Sequence, residues 1–382
     1  MISSSPRVGF AAVWDDPPEP TWSYTPWSLL QALQGRMNVV DLGLTPSKPT
    51  RTALKLVSGR LVDGEPVSLW RSSRVTDRYL KRALDRAVAE EWPDVVLQVL
   101  DIAPTQVPYV LYQDMSWRLL QQLAATTPVE HLGHVGMSEL RMAQRAEREV
   151  EVHAGASGLA VMSTWVRDFL VKQCDVPADR VTVVRPGCNV PVVPMAGVLD
   201  RRLGRARREL LFVGRDFVRK AGDVVVDAVE MLRAEGEDVR LTVVGPDEWP
   251  FPGPVPEGVD FLGRLPREQM GEVFATADLF VMPSRFEAYG IAFAEALSAG
   301  VPCIGRDACA MPEIIDHGVN GCLVGDLETE IVAKAIATTL SDDRVYEATA
   351  GAAADVAAYY TWERAADELA DFLRSRVEER AA

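Results

Sequence analysis

Two glutamates, Glu287 and Glu295, stand with seven residues between them in the stretch Glu287-Ala288-Tyr289-Gly290-Ile291-Ala292-Phe293-Ala294-Glu295. The segment before them, Leu279-Phe280-Val281-Met282-Pro283-Ser284, reads as a buried parallel strand, and residues 289–299 read as an apolar helix opening directly after Glu287. A helix N-terminus at that point presents backbone N–H groups and a partial positive charge, which makes an anion site. At about 1.5 Å rise per residue the two carboxylates would lie about 12 Å apart along the axis. That is the span of a sugar joined through a pyrophosphate to a ribose. Most helical glutamates simply face water. Here Ile291, Phe293, Ala294, Ala296 and Leu297 leave almost no polar face, so Glu295 reads as a mostly buried carboxylate that needs donors. Ribose hydroxyls would supply them, and sugar hydroxyls would do the same for Glu287.

A second group of candidates follows from a general property of open α/β sheets, whose ligands bind beyond the carboxyl ends of the strands. Leu211-Phe212-Val213-Gly214-Arg215 ends a strand and Lys220-Ala221-Gly222 opens the next helix. Arg215 and Lys220 would therefore project over the ligand edge, where two cations can neutralise a pyrophosphate; the plain alternative is a pair of surface ions. Gly214 would let backbone approach a phosphate closely.

The elements that must position these residues form two alternating series. In the first half, short apolar strands at 8–13, 39–42, 95–100, 109–112, 159–162 and 181–184 alternate with helical patterns at 27–34, 75–91, 139–152 and 164–173. A proline-rich and then basic stretch at 190–208 fits an interdomain linker. The pattern restarts with strands at 210–213, 239–244, 259–262, 279–282 and 301–304 and helices at 220–235, 267–276 and 289–299. Both series predict parallel sheets covered by helices, an α/β class with two doubly wound domains. An amphipathic helix at about 361–376 closes the chain. The domain expectation is 1–190, 191–360 and a closing segment 361–382.

Composition narrows the function classes. A 382-residue chain that is 48% hydrophobic and 25% charged has room for two cores, and it lacks both a signal-peptide pattern and an apolar run of membrane-spanning length. The expected location is cytoplasmic. Five cysteines, Cys174, Cys188, Cys303, Cys309 and Cys322, without a Cys-x-x-Cys spacing, suit small core residues in a reducing compartment. The net charge of −15 is uneven: the first 190 residues carry 20 Lys and Arg against 21 Asp and Glu, and the remainder 20 against 34. Such a chain is not expected to wrap nucleic acid. Arg71, Arg74, Arg78, Lys81, Arg82 and Arg86, partly on the helix from about residue 75, would favour an anionic membrane surface; with Asp77 and Asp85 interspersed they also read as an ordinary solvated helix face. No Gly-x-Gly-x-x-Gly follows the first strand and no Gly-x-x-x-x-Gly-Lys-Ser/Thr occurs, which weakens dinucleotide oxidoreductase and P-loop readings. His131 and His134 lack a third ligand of metal spacing, and no metal site is expected. His153 and His317 carry no signal.

Gly214-Arg215 with Lys220, Pro283-Ser284-Arg285-Phe286-Glu287 running into Tyr289-Gly290-Ile291, Glu295-Ala296, Gly300-Val301-Pro302 and Pro312-Glu313-Ile314-Ile315 together resemble the donor half of retaining glycosyltransferases of family 4, with the GT-B architecture. The likeness covers most of residues 209–326 and continues more weakly through Val161-Met162-Ser163-Thr164-Trp165 and Arg185-Pro186-Gly187. It implies two Rossmann-like domains facing across a cleft, the acceptor on the first and a nucleoside diphosphate sugar on the second. It also implies a closing helix that returns to the first domain, no metal, and no cofactor beyond the nucleotide sugar as co-substrate. By the same resemblance Arg215 and Lys220 hold the diphosphate, Glu287 the donor sugar's hydroxyls and Glu295 the ribose. The N–H groups of Tyr289, Gly290 and Ile291, next to Ala288, complete the phosphate cradle, and the leaving phosphate itself takes the acceptor's proton.

The first half departs from the family pattern twice. Where many members have a glycine-rich loop after the first strand, this chain has Trp14-Asp15-Asp16 and then Trp22-Ser23-Tyr24-Thr25-Pro26-Trp27. Trp22, Tyr24 and Thr25 are candidates to line the acceptor, although Trp and Tyr at such places also serve as packing. Where the family often has a histidine before an aspartate, Tyr112-Gln113-Asp114 carries glutamine. Asp114 is the candidate acceptor-side carboxylate, with a helix-capping role as its alternative. The expected activity is transfer of a hexose-type sugar from a UDP- or GDP-linked donor to a hydroxyl. An epimerase of the same architecture would isomerise the donor instead, and a non-catalytic binding subunit would do neither. The acceptor and the oligomeric state are not read from the residues.

Overall fold

The computed structural model describes residues 6–62, 65–191 and 207–381. The chain divides into two compact units. One holds the residues up to Glu130, His134–Gly187 and the closing segment from Trp362; the other holds His131–Gly133 and Cys188–Thr361.

The first unit is built on six parallel strands in the order β2-β1-β5-β6-β7-β8: β1 Arg7–Ala11, β2 Asn38–Asp41, β5 Val95–Val99, β6 Tyr109–Gln113, β7 Gly158–Val161 and β8 Val181–Val183. Every residue of β5 and β6 is buried, as expected of a parallel sheet covered on both faces. The strand expected at 8–13 ends at Ala11, and Val13 contributes only an isolated bridge to Leu44. Between β2 and β5 lie three elements with no sequence expectation, helix α2 (Lys48–Ser58) and an antiparallel hairpin of β3 (Gly59–Val62) with β4 (Glu65–Ser68). Helix α1 (Thr25–Gln34) starts two residues earlier than expected because Pro26 suits the first turn. Helix α3 (Arg74–Glu91) is capped by the Ser73 side chain, which accepts from the Thr76 N–H. Helices α4 (Trp117–Leu123), α5 (Glu139–Gly155) and α6 (Thr164–Gln173) complete the layers.

The second sheet has the order β11-β10-β9-β12-β13-β14, again all parallel: β9 Arg208–Val213, β10 Val239–Val244, β11 Val259–Gly263, β12 Leu279–Val281, β13 Cys303–Arg306 and β14 Gly321–Val324. The order reverses between β9 and β12, so the carboxyl ends of these two strands frame the crevice where ligands settle in this topology. Of the expected linker, residues 192–206 lie outside the described residues; β9 already begins at Arg208. Helix α7 (Gly222–Ala234) starts later than expected because Ala221 adopts a left-handed conformation, φ 58°. Helix α8 spans Arg267–Thr276, and the Glu-bearing helix α9 spans Ile291–Ser298, shorter than the 289–299 read from its apolar run. Two helices absent from the sequence reading, α10 (Thr329–Leu340) and α11 (Asp343–Tyr359), pack on α7 and α9 respectively. All five cysteines are free; Cys303 is buried and the others partly so.

Helix α12 (Trp362–Ala381) belongs to the first unit, where it packs on α1 and pairs Asp367 with Arg36. Its Ala365, Ala366, Leu369, Ala370 and Leu373 are buried. Replacing Leu369 with alanine should therefore cost about 2–5 kcal/mol of stability, read by denaturant unfolding, whereas a tail merely lying on the surface would leave the midpoint unchanged.

Candidate functional site

The chain leaves β9 through Gly214 and β10 through Gly245, and these two glycines sit against each other. A Cβ on Gly245 would come within 2.6 Å of the Gly214 carbonyl carbon, and Gly245 has φ +129°. The backbones can turn this tightly only without side chains. Beyond Gly214, Arg215 is exposed and, among the described residues, makes no ion pair or hydrogen bond. Five residues on, Lys220 turns inward and its Nζ pairs with Glu287 Oε2. The pair lies between the loops that follow β9 and β12, at the reversal of strand order.

Glu287 is only 6% exposed and its carboxylate accepts from Lys220 Nζ and, at 3.4 Å, from Ser284 Oγ. Burial raises its pKa, but the charges of Lys220 and Arg219 with the hydrogen bonds from Lys220 and Ser284 outweigh burial and hold the carboxyl below the usual range. Burial pulls the Lys220 ammonium below its usual range, against the opposing pull of Glu287. An ammonium has three donors and a carboxylate two oxygens. The pair therefore retains capacity for a phosphate on one side and a hydroxyl on the other.

Two arginines without an assigned role in the sequence reading fix this geometry. Arg219 bonds Asp216 at 2.9 Å and donates to the Phe286 carbonyl at 3.0 Å, and Arg285 grips Asp223 bidentately at 2.6 Å. They clamp the 215–223 segment to the loop carrying Glu287. Their sequence signal was the Arg285 of the Pro283-to-Glu287 motif; Arg219 gave none beyond its neighbourhood to Lys220.

Helix α9 opens later than the motif suggested because Gly290 takes φ +99° and serves as its N-cap, with a Cβ there blocked by Phe293 at 2.7 Å. Ala288 and Ile291 are partly exposed beside Glu287, Tyr289 is buried and bonds the Tyr360 hydroxyl at 3.3 Å, and the N–H groups of Ile291 and Ala292 lie in the helix's first turn, which has no intrahelical acceptors. Only the stretch from Ile291 is helical, so the helical rise behind the expected axial separation of about 12 Å between the two glutamates does not apply across residues 287–290. Glu295 is partly buried, and its Oε1 accepts from the backbone N–H groups of Asn189 at 2.9 Å and Val190 at 3.1 Å. Arg267 donates to the Asn189 carbonyl alongside. Burial pushes the Glu295 carboxyl up to about 7 despite those two N–H groups and the Arg267 charge. Glu295 is thus already engaged with the segment entering the second unit, through one oxygen.

In the first unit, the loop after β1 holds Trp22, Ser23 and Tyr24 at φ 42°, 55° and 69°, three consecutive left-handed residues and a costly conformation for L side chains. Trp22 and Tyr24 are partly exposed, whereas Thr25 is buried at 1% and is not presented to a ligand. Asp114 follows β6 and is partly exposed. The cap of α4 is Ser116, whose side chain accepts from the Leu119 N–H and donates to Glu149, so the capping alternative for Asp114 does not hold. Gln113, at the histidine position of the family pattern, is buried; its amide donates to the Met115 carbonyl at 2.9 Å and its Oε1 lies 3.2 Å from His153 Nε2. Burial lowers His153 to about 4, which leaves its ring neutral. His134 packs edge-on against Trp117, and no cluster of metal-ligating residues occurs among the described residues. A cavity of about 410 Å³ bordered by Arg207, Glu209 and Thr276 lies at the strand-start edge of the second sheet, away from the carboxyl ends where ligands of such sheets bind.

Residues 207–342 match the family described as glycosyl transferases group 1. A D-inositol 3-phosphate glycosyltransferase of Corynebacterium efficiens is 29% identical over 243 residues, which cover 58% of this chain and 57% of that protein. The GDP-mannose-dependent alpha-(1-6)-phosphatidylinositol monomannoside mannosyltransferase of Mycobacterium tuberculosis is 32% identical over 263 residues, 63% of this chain and 68% of the relative. The chain belongs to the group 1 glycosyl transferases, of the family 4 type. Its match spans little more than half the length of the first of those two relatives. The sucrose-phosphate synthase structure of Thermosynechococcus elongatus shares the GT-B fold at a TM-score of 0.70 and 16% identity, covering 97% of this chain and 98% of that one. In this chain the motifs of residues 214–220 and 283–295 fall on the Lys220–Glu287 pair and its surroundings.

The Glu295 carboxyl has a testable sign. Its folded-state pKa lies above the unfolded value, so the ionisation it is forced into as pH rises from about 4.5 through about 7 destabilises the fold. Ligand-free Glu295→Gln should match the wild type near pH 4.5 and exceed it near pH 8, by up to about 3 kcal/mol in denaturant unfolding. Parallel pH profiles would show that Glu295 is not desolvated.

Proposed function

We propose that the protein is a retaining, metal-independent glycosyltransferase that moves a hexose-type sugar from a UDP- or GDP-linked donor to a hydroxyl of an acceptor. The observation that carries this reading is the buried Lys220–Glu287 pair at the strand-order reversal, beside the exposed Arg215 and the first turn of α9. Arg215 and Lys220 would meet the diphosphate, and the Gly290–Ile291 backbone would add N–H donors to it. Glu287 would orient the sugar through its hydroxyls, and the second oxygen of Glu295 would take the ribose. As the glycosidic C–O bond breaks, negative charge grows on the leaving phosphate, where these cations and N–H groups stand ready. The acceptor oxygen bonds to the anomeric carbon on the same face, and its proton passes to that phosphate. No protein nucleophile enters the sequence of events. Asp114, at the carboxyl edge of the first unit's sheet, would hold the acceptor hydroxyl, with Trp22 and Tyr24 against the acceptor's ring. The names of both relatives specify glycosyl transfer, and one specifies a GDP-linked donor, which supports transfer over donor isomerisation.

The test is transfer from labelled UDP- and GDP-sugars to a panel of hydroxyl acceptors, with EDTA present. Arg215→Ala, Lys220→Ala and Glu287→Ala should each lower turnover by about 10²-fold or more, and Asp114→Asn should lower turnover while leaving nucleoside diphosphate affinity and melting temperature near wild type. Undiminished transfer by the folded donor-side variants, or a strict need for added Mg²⁺ or Mn²⁺, would contradict the proposal.

A further inference from the structure

Helix α5 buries a polar stripe. Arg145, Glu149 and His153, spaced at one residue in four, all face inward, and Glu149 is only 1% exposed, where a helix lying on a sheet ordinarily buries apolar side chains. Polar groups taken out of water destabilise a fold unless each finds partners. Every partner here lies at the carboxyl edge of the first unit's sheet or beside it. Arg145 pairs with Asp77 at 2.8 Å and with Asp101 at 3.1 Å. Glu149 and His153 reach residues 113–118, the segment that carries Asp114.

The hydrogen bonds in that segment run in one direction. A guanidinium only donates, so Arg118 Nη2, 3.5 Å from His153 Nδ1, makes that nitrogen the acceptor and leaves the ring proton on Nε2. The Nε2–H then donates to Gln113 Oε1 at 3.2 Å, which turns the Gln113 amide nitrogen to the Met115 carbonyl at 2.9 Å. Burial lowers His153 to about 4, so the ring has this one proton to give. Glu149 closes the other side, accepting from Ser116 Oγ at 2.7 Å, the Trp117 N–H at 2.8 Å and the Arg118 N–H at 3.2 Å, with Arg118 Nε at 3.5 Å. Gln113 and Ser116 are buried, whereas Asp114 between them is partly exposed. Buried charges are weak evidence for stability, because apolar groups of similar volume often serve a fold as well or better. What a fully bonded network supplies is one fixed arrangement of the loop it holds.

We propose that Glu149 and His153 are positioning residues, which by holding Gln113 and Ser116 set where the Asp114 carboxylate meets the acceptor hydroxyl. The inference rests on the acceptor-side role of Asp114 proposed above, and it makes Gln113 part of the brace rather than an acid or base. In the full-length protein, His153→Leu should speed amide hydrogen exchange across residues 113–118 and leave nucleoside diphosphate affinity unchanged. It should lower kcat about tenfold for transfer from the labelled nucleotide sugar to the acceptor returned by the panel. Glu149→Gln, which offers one oxygen where several donors converge, should act alike. His153→Gln, whose amide N–H takes the place of Nε2–H, should recover most of the loss. Gln113→Leu/His153→Leu removes both partners together and leaves no lone buried acceptor between them, so it keeps the test open where His153→Leu alone does not fold. On an Asp114→Asn background the same substitutions should cost less than about twofold, because the carboxylate they position is already gone; an effect on stability alone would cost the same factor on both backgrounds. Equal losses on the two backgrounds, no recovery in His153→Gln, or unchanged exchange at residues 113–118 would overturn the proposal. Full transfer by Asp114→Asn would overturn the acceptor role of Asp114 and this inference with it, and is told apart because exchange at residues 113–118 would still rise in His153→Leu.

Discussion

A buried ammonium–carboxylate pair, Lys220 with Glu287, is the constraint on which the second unit's ligand edge depends. Taking both charges out of water carries a large desolvation penalty, recovered only when the geometry is held and the remaining lone pairs are satisfied. The loops beyond β9 and β12 supply that hold. Ser284 donates to the carboxylate, Arg219 ties Asp216 to the Phe286 carbonyl, and Arg285 locks onto Asp223. Gly214 and Gly245 let these loops turn without side-chain clash, and Gly290 swings the chain from Glu287 into α9. Each of these features keeps one charge pair at the carboxyl edge of the sheet, where its two signs face the point at which the strand order reverses.

The same edge couples the site to the chain entering it. Glu295 bonds the N–H groups of Asn189 and Val190, and the Cys188 N–H donates to the Tyr360 carbonyl at 2.8 Å, so the two ends of the second unit's chain are tied together close to that carboxylate. In the first unit the corresponding edge is organised by different means, with Thr21 accepting from the Asp15 N–H, Trp22 to Tyr24 held in left-handed conformations, and Gln113 braced between Met115 and a neutral His153. Strained and internally braced loops on a regular sheet fit a binding edge, since strain of this kind persists only where surrounding structure over-determines it.

Much of this was legible in the residues. The period-2 and continuous apolar runs located eleven strands of the two sheets within a few residues; the strand-end rule placed Arg215 and Lys220 at the ligand edge, and the strand running into a helix N-terminus placed Glu287 there. What was missed has physical causes. The fourteenth strand, Gly321–Val324, is four residues long in a glycine-containing stretch, and α10 and α11 are alanine- and threonine-rich helices whose apolar stripes are shallow. The start of α9 was misplaced because an apolar run does not reveal which residue takes positive φ. The Lys220–Glu287 contact itself joins residues 67 apart, and no local pattern encodes that the two project toward each other rather than toward solvent. A carboxylate near a helix start, as at Asp114, resembles a cap in sequence; Ser116 does that work two residues later.

The most direct measurement is nucleoside diphosphate affinity, by titration calorimetry, of the double variant Lys220→Met/Glu287→Gln, which removes both charges at nearly constant volume. Replacing a buried ion pair by neutral groups leaves stability near or above wild type, so the protein should remain folded. If the pair is a ligand site, the folded double variant should bind both UDP and GDP at least about tenfold more weakly than the wild type binds its preferred nucleotide, as expected on losing a charge-assisted contact. Unchanged affinity in a folded double variant would show that the pair only holds two loops together and that the donor diphosphate binds elsewhere.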